Sequence, residues 1–553
     1  MMPPSLHQPA AFWQLAPAAA PGIMAIFPPR LAMTLPESSP GIQRKVAIAA
    51  CFGTFLEWYD FLTFASLATY FSVLFFPADN PVAALLASLG TFGVGMVVRP
   101  LGAALFGSLG DRHGRRTIFL VTIVLMGVAT VGVGLLPTYE QVGLLAPALL
   151  LVLRMLQGLS VGGEIGGAAV YLTEHAPDGR RGLYTSVLQL MGPLGMMAST
   201  LQIVLLQHFL SDADFRQWGW RIPFLLSALL LAISIKSRIN LHESPVFRHL
   251  REKNAVAQAP LRDCFRDRHT LGRMGLLFFC ISAGGSLIFF SAQVYTTVFL
   301  KNVVKLPAAD ASALVMVATV ALFPLTLFCG WLSDRVGRRP VLLAGLLLGA
   351  ASILPVFHGL LAYGNPALER FNREVPVVLS GSGCAYDPFR GAGNDCERYQ
   401  ELFAKLGVEH RREAGPLAVR IGERRVEGYA PEAVQAALQA AGRPAQADPA
   451  VANKPMIVAL LLVLVVALAC VTGPQTAVLP ELFPARTRYT AVALPHNLAA
   501  GWIGGLSPFM VTWIGVGAGT ASGGLWYPTG LLILAATVGL LFLPEVRDRP
   551  LDR

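Results

Sequence analysis

Charged side chains are scarce in this sequence. Asp, Glu, Lys and Arg make up 14% of the 553 residues, whereas apolar residues make up 54% and the mean hydropathy is +0.56. An ordinary soluble domain contains about 25% charged residues. The chain therefore has too little polar side chain to cover a water-facing surface of its size. This excludes an ordinary soluble fold and indicates a protein that crosses a membrane many times.

Motifs for enzyme chemistry are also absent. The sequence contains no nucleophile–base pairing, no phosphate loop and no His/Cys spacing for a metal, so we predict no catalytic site, no metal and no cofactor. The net charge of +10 would suit nucleic acid, but the basic residues form short clusters between apolar runs. That distribution is typical of membrane proteins. We expect a small-molecule substrate, a lipid bilayer, no nucleic-acid partner and a functional monomer.

Basic residues are missing from the start of the chain, where the first is Arg30. A secretory signal needs a basic region ahead of its apolar core, so residues 1–45, rich in Pro and Ala, do not resemble one. We interpret residues 1–45 as a disordered tail.

Twelve apolar runs have the length to cross a bilayer, by the rule that about 20 apolar residues span a core of about 30 Å. They lie near 46–76, 83–107, 117–137, 142–173, 182–209, 219–236, 274–300, 311–330, 340–362, 456–476, 490–515 and 524–543. From these runs we divide the chain into a tail 1–45, an N-terminal helical unit 46–236, a linker 237–273, helices seven to nine in 274–362, an insert 363–455, helices ten to twelve in 456–545, and a tail 546–553.

Lys and Arg in the short connections set the orientation. If the chain crosses at every run, one side receives Arg44, Lys45, Arg112–Arg116, Arg180, Arg181, 236–273, Arg335–Arg339, Arg486 and Arg488. The opposite turns Pro77–Pro81 and Pro137–Gln141 contain neither residue type. Basic loops remain in the cytoplasm. We therefore predict cytoplasmic termini and a multi-pass protein of the plasma membrane, which in a bacterium is the inner membrane.

One loop sequence occurs twice. GSLGDRHGRRT at Gly107–Thr117 and GWLSDRVGRRP at Gly330–Pro340 each lie between apolar runs, 223 residues apart. An offset of that length suits a duplicated half-protein rather than a solenoid repeat. The acidic residue of each copy can interact with a helix N-terminus or with Arg, although the Arg residues can also serve only to set topology. The loop residues that carry this pattern are Gly107, Asp111, Arg112, Gly114, Arg115, Arg116, Gly330, Asp334, Arg335, Gly337, Arg338 and Arg339.

A polar segment interrupts the second half. The pattern Arg-x-x-Tyr-Thr-x-Val begins at Arg181 and again at Arg486, an offset of 305 residues, which exceeds the loop offset by 82. The polar segment 365–453 has about that length and lies on the outer side by the run count. Oxidising compartments let disulfides persist, so we predict a Cys384–Cys396 bond in a small folded cap. Two free thiols in an unfolded loop are the alternative.

Ionisable residues occur inside several apolar runs, where each costs at least about 2.5–3.5 kcal/mol unless it is paired or hydrated. Their similar depths in three helices indicate that they converge on a wet or paired interior. We predict proton coupling by Glu57, Asp60 and Glu164, and substrate binding by Arg99, Arg154, Gln157, His496 and Asn497. The alternative is a static ion-pair network, and His496 is as well explained by a hydrogen bond between helices.

The two loop copies resemble the loop signature of the major facilitator superfamily. The stretches FGTFLEWYDF (Phe52–Phe61), RMLQGLSVGGEIGGAAVYLTEHAP (Arg154–Pro177), WGWRIPF (Trp218–Phe224), HESPVF (His242–Phe247) and PELFPARTRYT (Pro480–Thr490) resemble its metabolite:H+ symporter family. This resemblance implies an all-α membrane fold with twelve helices in two pseudo-symmetric six-helix bundles around a central site. It also implies that the repeated loops are gating latches.

We therefore expect a secondary active transporter that takes up a small organic acid, such as a di- or tricarboxylate, oxoacid or aromatic carboxylate, together with a proton. Uptake of zwitterionic osmolytes of the betaine or proline type is the alternative within the family. A drug exporter and a transporter-like receptor with a ligand-binding outer insert are further alternatives. The intramembrane charges and both intact loops argue against the receptor.

Overall fold

Long apolar helices dominate the computed structural model, which describes residues 40–76, 81–239, 241–384, 392–547 and 549–551. Twelve helices in these ranges have the length and composition to cross a membrane, which confirms the predicted helical architecture. In chain order, these spanning helices are Gln43–Phe64, Gly93–His113, Arg115–Leu135, Leu145–Glu174, Arg181–Phe209, Gly219–Ile239, Arg268–Asn302, Ala308–Val336, Arg338–Gly364, Lys454–Glu481, Arg488–Ala518 and Ala521–Phe542.

The helices extend beyond the apolar runs at several ends. The first spanning helix is part of a longer helix, Pro40–Phe75, so the predicted boundary of the tail at residue 45 is wrong. Proline is favoured in the first turn of a helix, and long basic side chains such as those of Arg44 and Lys45 keep their charges at the surface. The rest of the predicted tail, residues 1–39, lies outside the described residues.

The predicted linker is also partly helical. Short helices occupy Pro245–Glu252 and Pro260–Arg266, and the seventh spanning helix already begins at Arg268. The sixth helix continues through Arg238, whose side chain is completely buried. The prediction of residues 237–273 as a linker is therefore incomplete. Clusters of charged residues mark the end of an apolar run rather than the end of a helix.

Equivalent helices pack against each other in the two halves of the molecule. The second helix packs against the fourth in the first half, and the eighth packs against the tenth in the second half. The halves meet where the second helix contacts the eleventh and where the fifth contacts the eighth and tenth. These contacts place both repeated loops at the interface between the halves.

Within the described ranges, two spanning helices contain π-helical turns. The seventh helix has π-helical turns at Leu277–Ser282 and Phe290–Tyr295, and the eleventh has one at Ala499–Gly504. A π-turn bulges the backbone and often occurs at functional sites. These turns lie in the segments that border the cavity between the halves.

The insert is a small α/β module between the ninth and tenth spanning helices. Its sheet has the order β2-β1-β3-β4, with β1 at Val377–Ser380, β2 at Arg411–Glu413, β3 at Ala418–Ile421 and β4 at Arg424–Glu427. Strand β1 runs parallel to β2 and antiparallel to β3, and β3 and β4 form a hairpin in which Ile421 is opposite Arg424. The strands of this sheet all belong to the insert, so the sheet leaves the predicted all-α membrane bundle unchanged. Short runs rich in Val and Ile favour strands when one face is buried.

Three helices, Pro366–Glu374, Asp395–Leu406 and Pro431–Ala440, cover the sheet and complete a separate hydrophobic core around residues such as Leu379 and Phe403. Cys384 and Cys396 are joined by a disulfide bond, with 5.3 Å between their Cα atoms.

Backbone hydrogen bonds fix the module to the end of the bundle that lies away from the repeated loops. The amide of Ala447 donates to Lys305 at 3.0 Å, and that of His410 donates to Gly519 at 2.9 Å. The amide of Asn453 donates to Tyr363 at 2.9 Å, so the two ends of the insert are adjacent.

Candidate functional site

A cavity with an empty volume of ≈ 850 Å³ lies between the two halves. Both halves contribute polar side chains to its wall, among them Arg99 and Gln189 from the first and Gln475 and His496 from the second. Trp58, Phe289 and Phe290 supply aromatic surface. A concave, largely apolar surface with a few polar groups is the usual form of a small-molecule site.

Arg99 connects the two halves at this cavity. Its Nη2 atom lies 3.6 Å from Oε1 of Glu57, and its Nε donates to Oδ1 of Asn497 at 3.3 Å. Asn497 belongs to the eleventh helix, and its amide donates to the carbonyl of Gly162 in the fourth helix at 2.9 Å. The predicted residues Glu57, Arg99 and Asn497 therefore form one chain of polar contacts.

His496 lies on the second half of the cavity wall, next to the seventh helix. Its Nδ1 is 3.0 Å from the hydroxyl of Ser282. The ring has 8% of its surface exposed, and it lines the cavity as well as bridging two helices. Both interpretations offered for this residue are therefore compatible with its position.

Arg154 and Gln157 line a neighbouring pocket of ≈ 420 Å³ inside the first half, rather than the central cavity. Trp58 and Arg99 border both spaces, whereas Glu57 lines only the pocket inside the first half. The Arg154 guanidinium lies 3.2 Å from the centre of the Phe64 ring, and its Nε and Nη2 have no hydrogen-bond partner among the described residues. Gln157 donates to Thr130 at 2.7 Å.

Asp60 lies beneath this pocket and is completely buried. Its Oδ1 accepts a hydrogen bond of 2.6 Å from Ser227, whereas Oδ2 has no partner within the described ranges. A buried carboxylate with one unpaired oxygen has an atom at which a proton can be held. Asp60 and Arg154 are not within ion-pair distance of each other in the described part of the chain.

Glu164 lies outside both spaces. It forms an ion pair with Arg238, which also stacks on Phe119 at 3.5 Å, and it accepts a hydrogen bond of 2.9 Å from Thr122. This environment favours the static ion-pair alternative for Glu164. Arg238 was missed as its partner because it follows Lys236 in a basic stretch that resembles a loop.

The first repeated loop binds across the interface. Asp111 accepts hydrogen bonds from the backbone amides of Tyr489 at 3.1 Å and Thr490 at 2.8 Å, at the start of the eleventh helix. Arg115 lies 3.5 Å from Asp111 and 3.4 Å from Glu174 at the end of the fourth helix. Glu174 also pairs with Arg488 at 2.9 Å. A carboxylate at a helix N-terminus is stabilised by the amide donors and the helix dipole.

The second loop makes the equivalent contacts in the opposite direction. Asp334 accepts from the amides of Gly182 at 2.7 Å and Leu183 at 2.8 Å, at the start of the fifth helix. Arg338 pairs with Asp334 at 2.7 Å and with Glu481 at 3.2 Å. Glu481 is 3.9 Å from Arg181. Each half therefore holds one helix N-terminus of the other.

The remaining loop residues also fall into equivalent pairs. A Cβ atom on Gly107 would lie 3.0 Å from Thr490, and one on Gly330 would lie 2.8 Å from the Gly182 carbonyl, so both positions need glycine for close approach. Gly114 and Gly337 precede the next helices. Arg116 and Arg339 donate to helix-end carbonyls at 2.6 Å and 2.7 Å, whereas Arg112 and Arg335 are exposed.

Glu243 and Glu545 complete the arrangement outside the spanning segments. Glu243 accepts from the amides of Arg115 and Arg116, and Glu545 from those of Arg338 and Arg339. Burial acts to raise the pKa of Glu545, but the surrounding amide donors lower it overall. Single-sequence reasoning missed both residues, because only the paired helix starts reveal their common role.

The contacts correct the register of the second repeat. Asp334 binds Gly182 and Leu183, whereas Asp111 binds Tyr489 and Thr490. The equivalent positions are thus 307 residues apart, not 305 as the Arg-x-x-Tyr-Thr-x-Val pattern indicates, and Glu174 and Glu481 have the same 307-residue offset. The second half has gained 84 residues by this measure, because the matching tyrosines are not structural equivalents.

Known proteins resemble this chain over most of its length. Inner membrane metabolite transport protein YhjE of Escherichia coli is 30% identical over 92% of this chain and 96% of that protein. An alpha-ketoglutarate permease of E. coli is 35% identical over 58% of this chain and 72% of that protein. A proline/betaine transporter of E. coli is 28% identical over 92% and 85%.

A family model and a solved structure agree with these relatives. A family model described as sugar and other transporters matches residues 46–268. A solved structure of a proton:xylose symporter of the major facilitator superfamily aligns with a TM-score of 0.61 and 16% identity, over 93% of this chain and 98% of that chain. The chain is a multi-pass membrane transporter of metabolites, not an enzyme. It belongs to the major facilitator superfamily.

Proposed function

We propose that this protein takes up a small organic acid together with a proton by alternating access around the central cavity. The observation that carries the proposal is the position of Arg99, which faces the cavity between the Glu57 carboxylate and the amide of Asn497. A guanidinium binds a carboxylate through two parallel hydrogen bonds. An acid that enters the cavity can therefore replace Glu57 as the partner of Arg99.

Charge balance then couples the substrate to a proton. When the substrate carboxylate pairs with Arg99, Glu57 loses its cation in a buried site, and a proton on Glu57 restores neutrality. Asp60, one helical turn further along the same helix, offers a second buried carboxylate beside the pocket that contains Arg154. An unpaired charge in the interior is costly, so the acid and the proton enter the site together.

We assign the direction of transport from the two latches, which are the repeated loops Gly107–Thr117 and Gly330–Pro340. Their contacts hold the halves together at the loop end of the molecule. We place that end in the cytoplasm because basic residues surround it, with both termini on the same side and the insert on the outer face of a bacterial inner membrane. Release of substrate to the cytoplasm then requires both latches to separate. A monomer contains every residue of this mechanism.

Uptake into proteoliposomes tests the proposal. The purified protein is reconstituted, a pH gradient is imposed, and a panel of radiolabelled di- and tricarboxylates, oxoacids, aromatic carboxylates and betaines is supplied. An acidic exterior should accelerate uptake of at least one carboxylate, and a protonophore should remove that acceleration. Uptake that ignores the gradient for every compound would contradict proton coupling.

Osmolyte uptake is the second candidate. Trp58 and Phe289 line the central cavity with ring centres 5.3 Å apart, and Phe290 lies beside them. Aromatic faces attract quaternary ammonium groups, and the similar proline/betaine transporter is named for such a substrate. The same panel separates the candidates, because a betaine should compete with carboxylate uptake only if the cavity accepts both. Transport of betaine alone would favour the second candidate.

A further inference from the structure

A second cavity lies between the insert and the outer ends of the seventh and eleventh helices, with an empty volume of ≈ 730 Å³. It shares no lining residue with the central cavity. One wall is a stripe of the insert helix Asp395–Leu406, and the opposite wall comes from segments that include Tyr295–Val303 and Val511–Ala521.

Gln400 is the polar residue at the centre of the helix stripe. Its side chain is completely buried, yet neither the amide nitrogen nor the amide oxygen has a hydrogen-bond partner among the described residues. Gln400, Phe403, Ala404 and Gly407 all line the cavity, as expected for positions that share one helix face. A buried amide without partners destabilises a fold, so its presence here requires an explanation.

His410 lies across the same cavity and has 5% of its surface exposed. Its ring packs against Phe403 at 4.9 Å and approaches the Val408 carbonyl, but neither ring nitrogen makes a well-formed hydrogen bond within the described part of the chain. Burial lowers the pKa of His410 to about 4, helped by nearby Arg412. The imidazole is therefore neutral at pH 7 and offers one donor and one acceptor.

The remaining lining is uncharged or apolar, with one exception. No Lys or Arg occurs among the described residues that line the cavity. The exception is Glu409, and burial raises the pKa of its carboxyl. A ligand anion would meet no cation here, so the transported acid and a lipid phosphate are both poor matches. Aromatic and branched side chains, including Tyr295, Phe299 and Val511, form the rest of the surface.

We propose that this cavity is a binding site for a small uncharged molecule with an aromatic or aliphatic body and a hydroxyl group, which hydrogen-bonds to Gln400 and His410. Such a ligand satisfies the two buried polar side chains and covers the apolar wall. It also contacts the insert and both helix ends at once, so it joins the insert to the transport bundle. The inference holds whichever substrate the central cavity transports.

Binding of 2-naphthol and naphthalene to the full-length protein in lipid nanodiscs tests the site. The two probes have the same aromatic body and differ in the hydroxyl. Calorimetric titration, corrected with empty nanodiscs, should give saturable binding with about tenfold preference for 2-naphthol, which corresponds to one net hydrogen bond. Gln400→Leu should reduce that preference, because only His410 is left as a partner of the hydroxyl, while naphthalene still binds. Gln435→Leu, on an exposed helix face of the same module, should leave it unchanged.

Stability gives an independent result. Without probe, Gln400→Leu should raise the melting temperature, because it removes a buried amide that has no protein partner, whereas a purely structural glutamine would lower it on replacement. A lower melting temperature would overturn the proposal. Absence of saturable binding in the wild-type protein, or a hydroxyl preference that is undiminished in Gln400→Leu, would overturn it as well.

Discussion

Arg99 is buried, with 5% of its surface exposed, and contacts acidic and amide groups from two other helices. Its planar guanidinium reaches Glu57 and Asn497 at the same time, which a single ammonium group cannot do. Arg99→Lys should therefore lower kcat/KM for the transported acid by about 10- to 100-fold, corresponding to loss of about 1.5–3 kcal/mol for a charged hydrogen bond. Initial uptake rates measure it. Arg370→Lys, at an exposed position of the insert, is the control and should transport normally.

A substitution at Asp60 tests whether proton movement can be separated from substrate movement. Asp60→Asn keeps the hydrogen bond from Ser227 but cannot exchange a proton. If Asp60 carries the coupling proton, the variant should lose pH-driven accumulation and retain exchange of labelled for unlabelled substrate at equal pH. Full pH-driven accumulation by Asp60→Asn would exclude this role.

Glu164 provides a matched comparison with Asp60, because we interpret its ion pair with Arg238 as structural. Glu164→Gln leaves Arg238 buried without its charged partner, which costs about 3–5 kcal/mol in typical proteins. The melting temperature should fall in this variant, and the double variant with Arg238→Gln should recover part of the loss. A variant that is stable but cannot accumulate substrate would instead return Glu164 to the coupling pathway.

His410 makes the insert sensitive to acid. Its pKa is about 4 in the folded protein against about 6.5 when unfolded. The unfolded chain therefore takes up the proton first, and stability falls as pH decreases from about 6.5 to 4, by at most about 3 kcal/mol. Glu409 acts with the opposite sign because its pKa is raised. Comparison with His410→Asn isolates the histidine: the variant should lose less melting temperature over this pH range, and an equal loss would contradict the assignment.

At the scale of elements, the two latches are reciprocal caps on helix N-termini. Asp111→Asn and Asp334→Asn each weaken two charge-assisted hydrogen bonds, and their symmetry predicts similar effects. Each change should shift the population towards separated halves by about 10-fold or more, given about 1.5–3 kcal/mol for hydrogen bonds to charged groups.

The shift can be measured at Ser186, which is buried beside Gly330 in the closed interface. A cysteine at this position, in a background without the free native thiols, should react with maleimide faster in either latch variant. Gly107 and Gly330 are unchanged, so the close approach itself remains possible. Unaltered reactivity would show that the carboxylates do not hold the interface.

Periodicity and charge predicted which elements exist but not which atoms meet. Apolar runs located the twelve spans, because bilayer thickness fixes helix length, and the repeated loops located the latches. The partners Glu174 and Glu481 follow only from tertiary packing. Sequence patterns did not predict the two-residue register correction, the π-turns or the burial of Arg238 for a similar reason. Each depends on how a helix end packs rather than on its composition. Glu57 and Arg99 were identifiable because charge inside an apolar run is expensive, and Asn497 because it is a polar residue among apolar neighbours.

At the scale of the whole molecule, the insert has its own hydrophobic core and adjacent ends. Replacing residues 366–452 with a short glycine–serine turn should leave a bundle that folds and still transports, with its rate changed only a few-fold. Size-exclusion chromatography and proteoliposome uptake measure both properties. The double variant Cys384→Ser/Cys396→Ser is the milder control. If the shortened protein aggregates whereas the cysteine double variant remains monodisperse, the bundle requires the module.

The adjacent ends and local sheet of the insert also bear on biosynthesis. All four strands lie within Val377–Glu427, one continuous stretch that is made before the last three spanning helices. The nascent chain can therefore complete this sheet while residues 454–542 are still being synthesised. The turn at Gly519, whose carbonyl accepts a hydrogen bond from the amide of His410, is made after this sheet and meets a surface that is already formed. The order of translation thus lets the insert serve as a template against which the end of the eleventh helix packs.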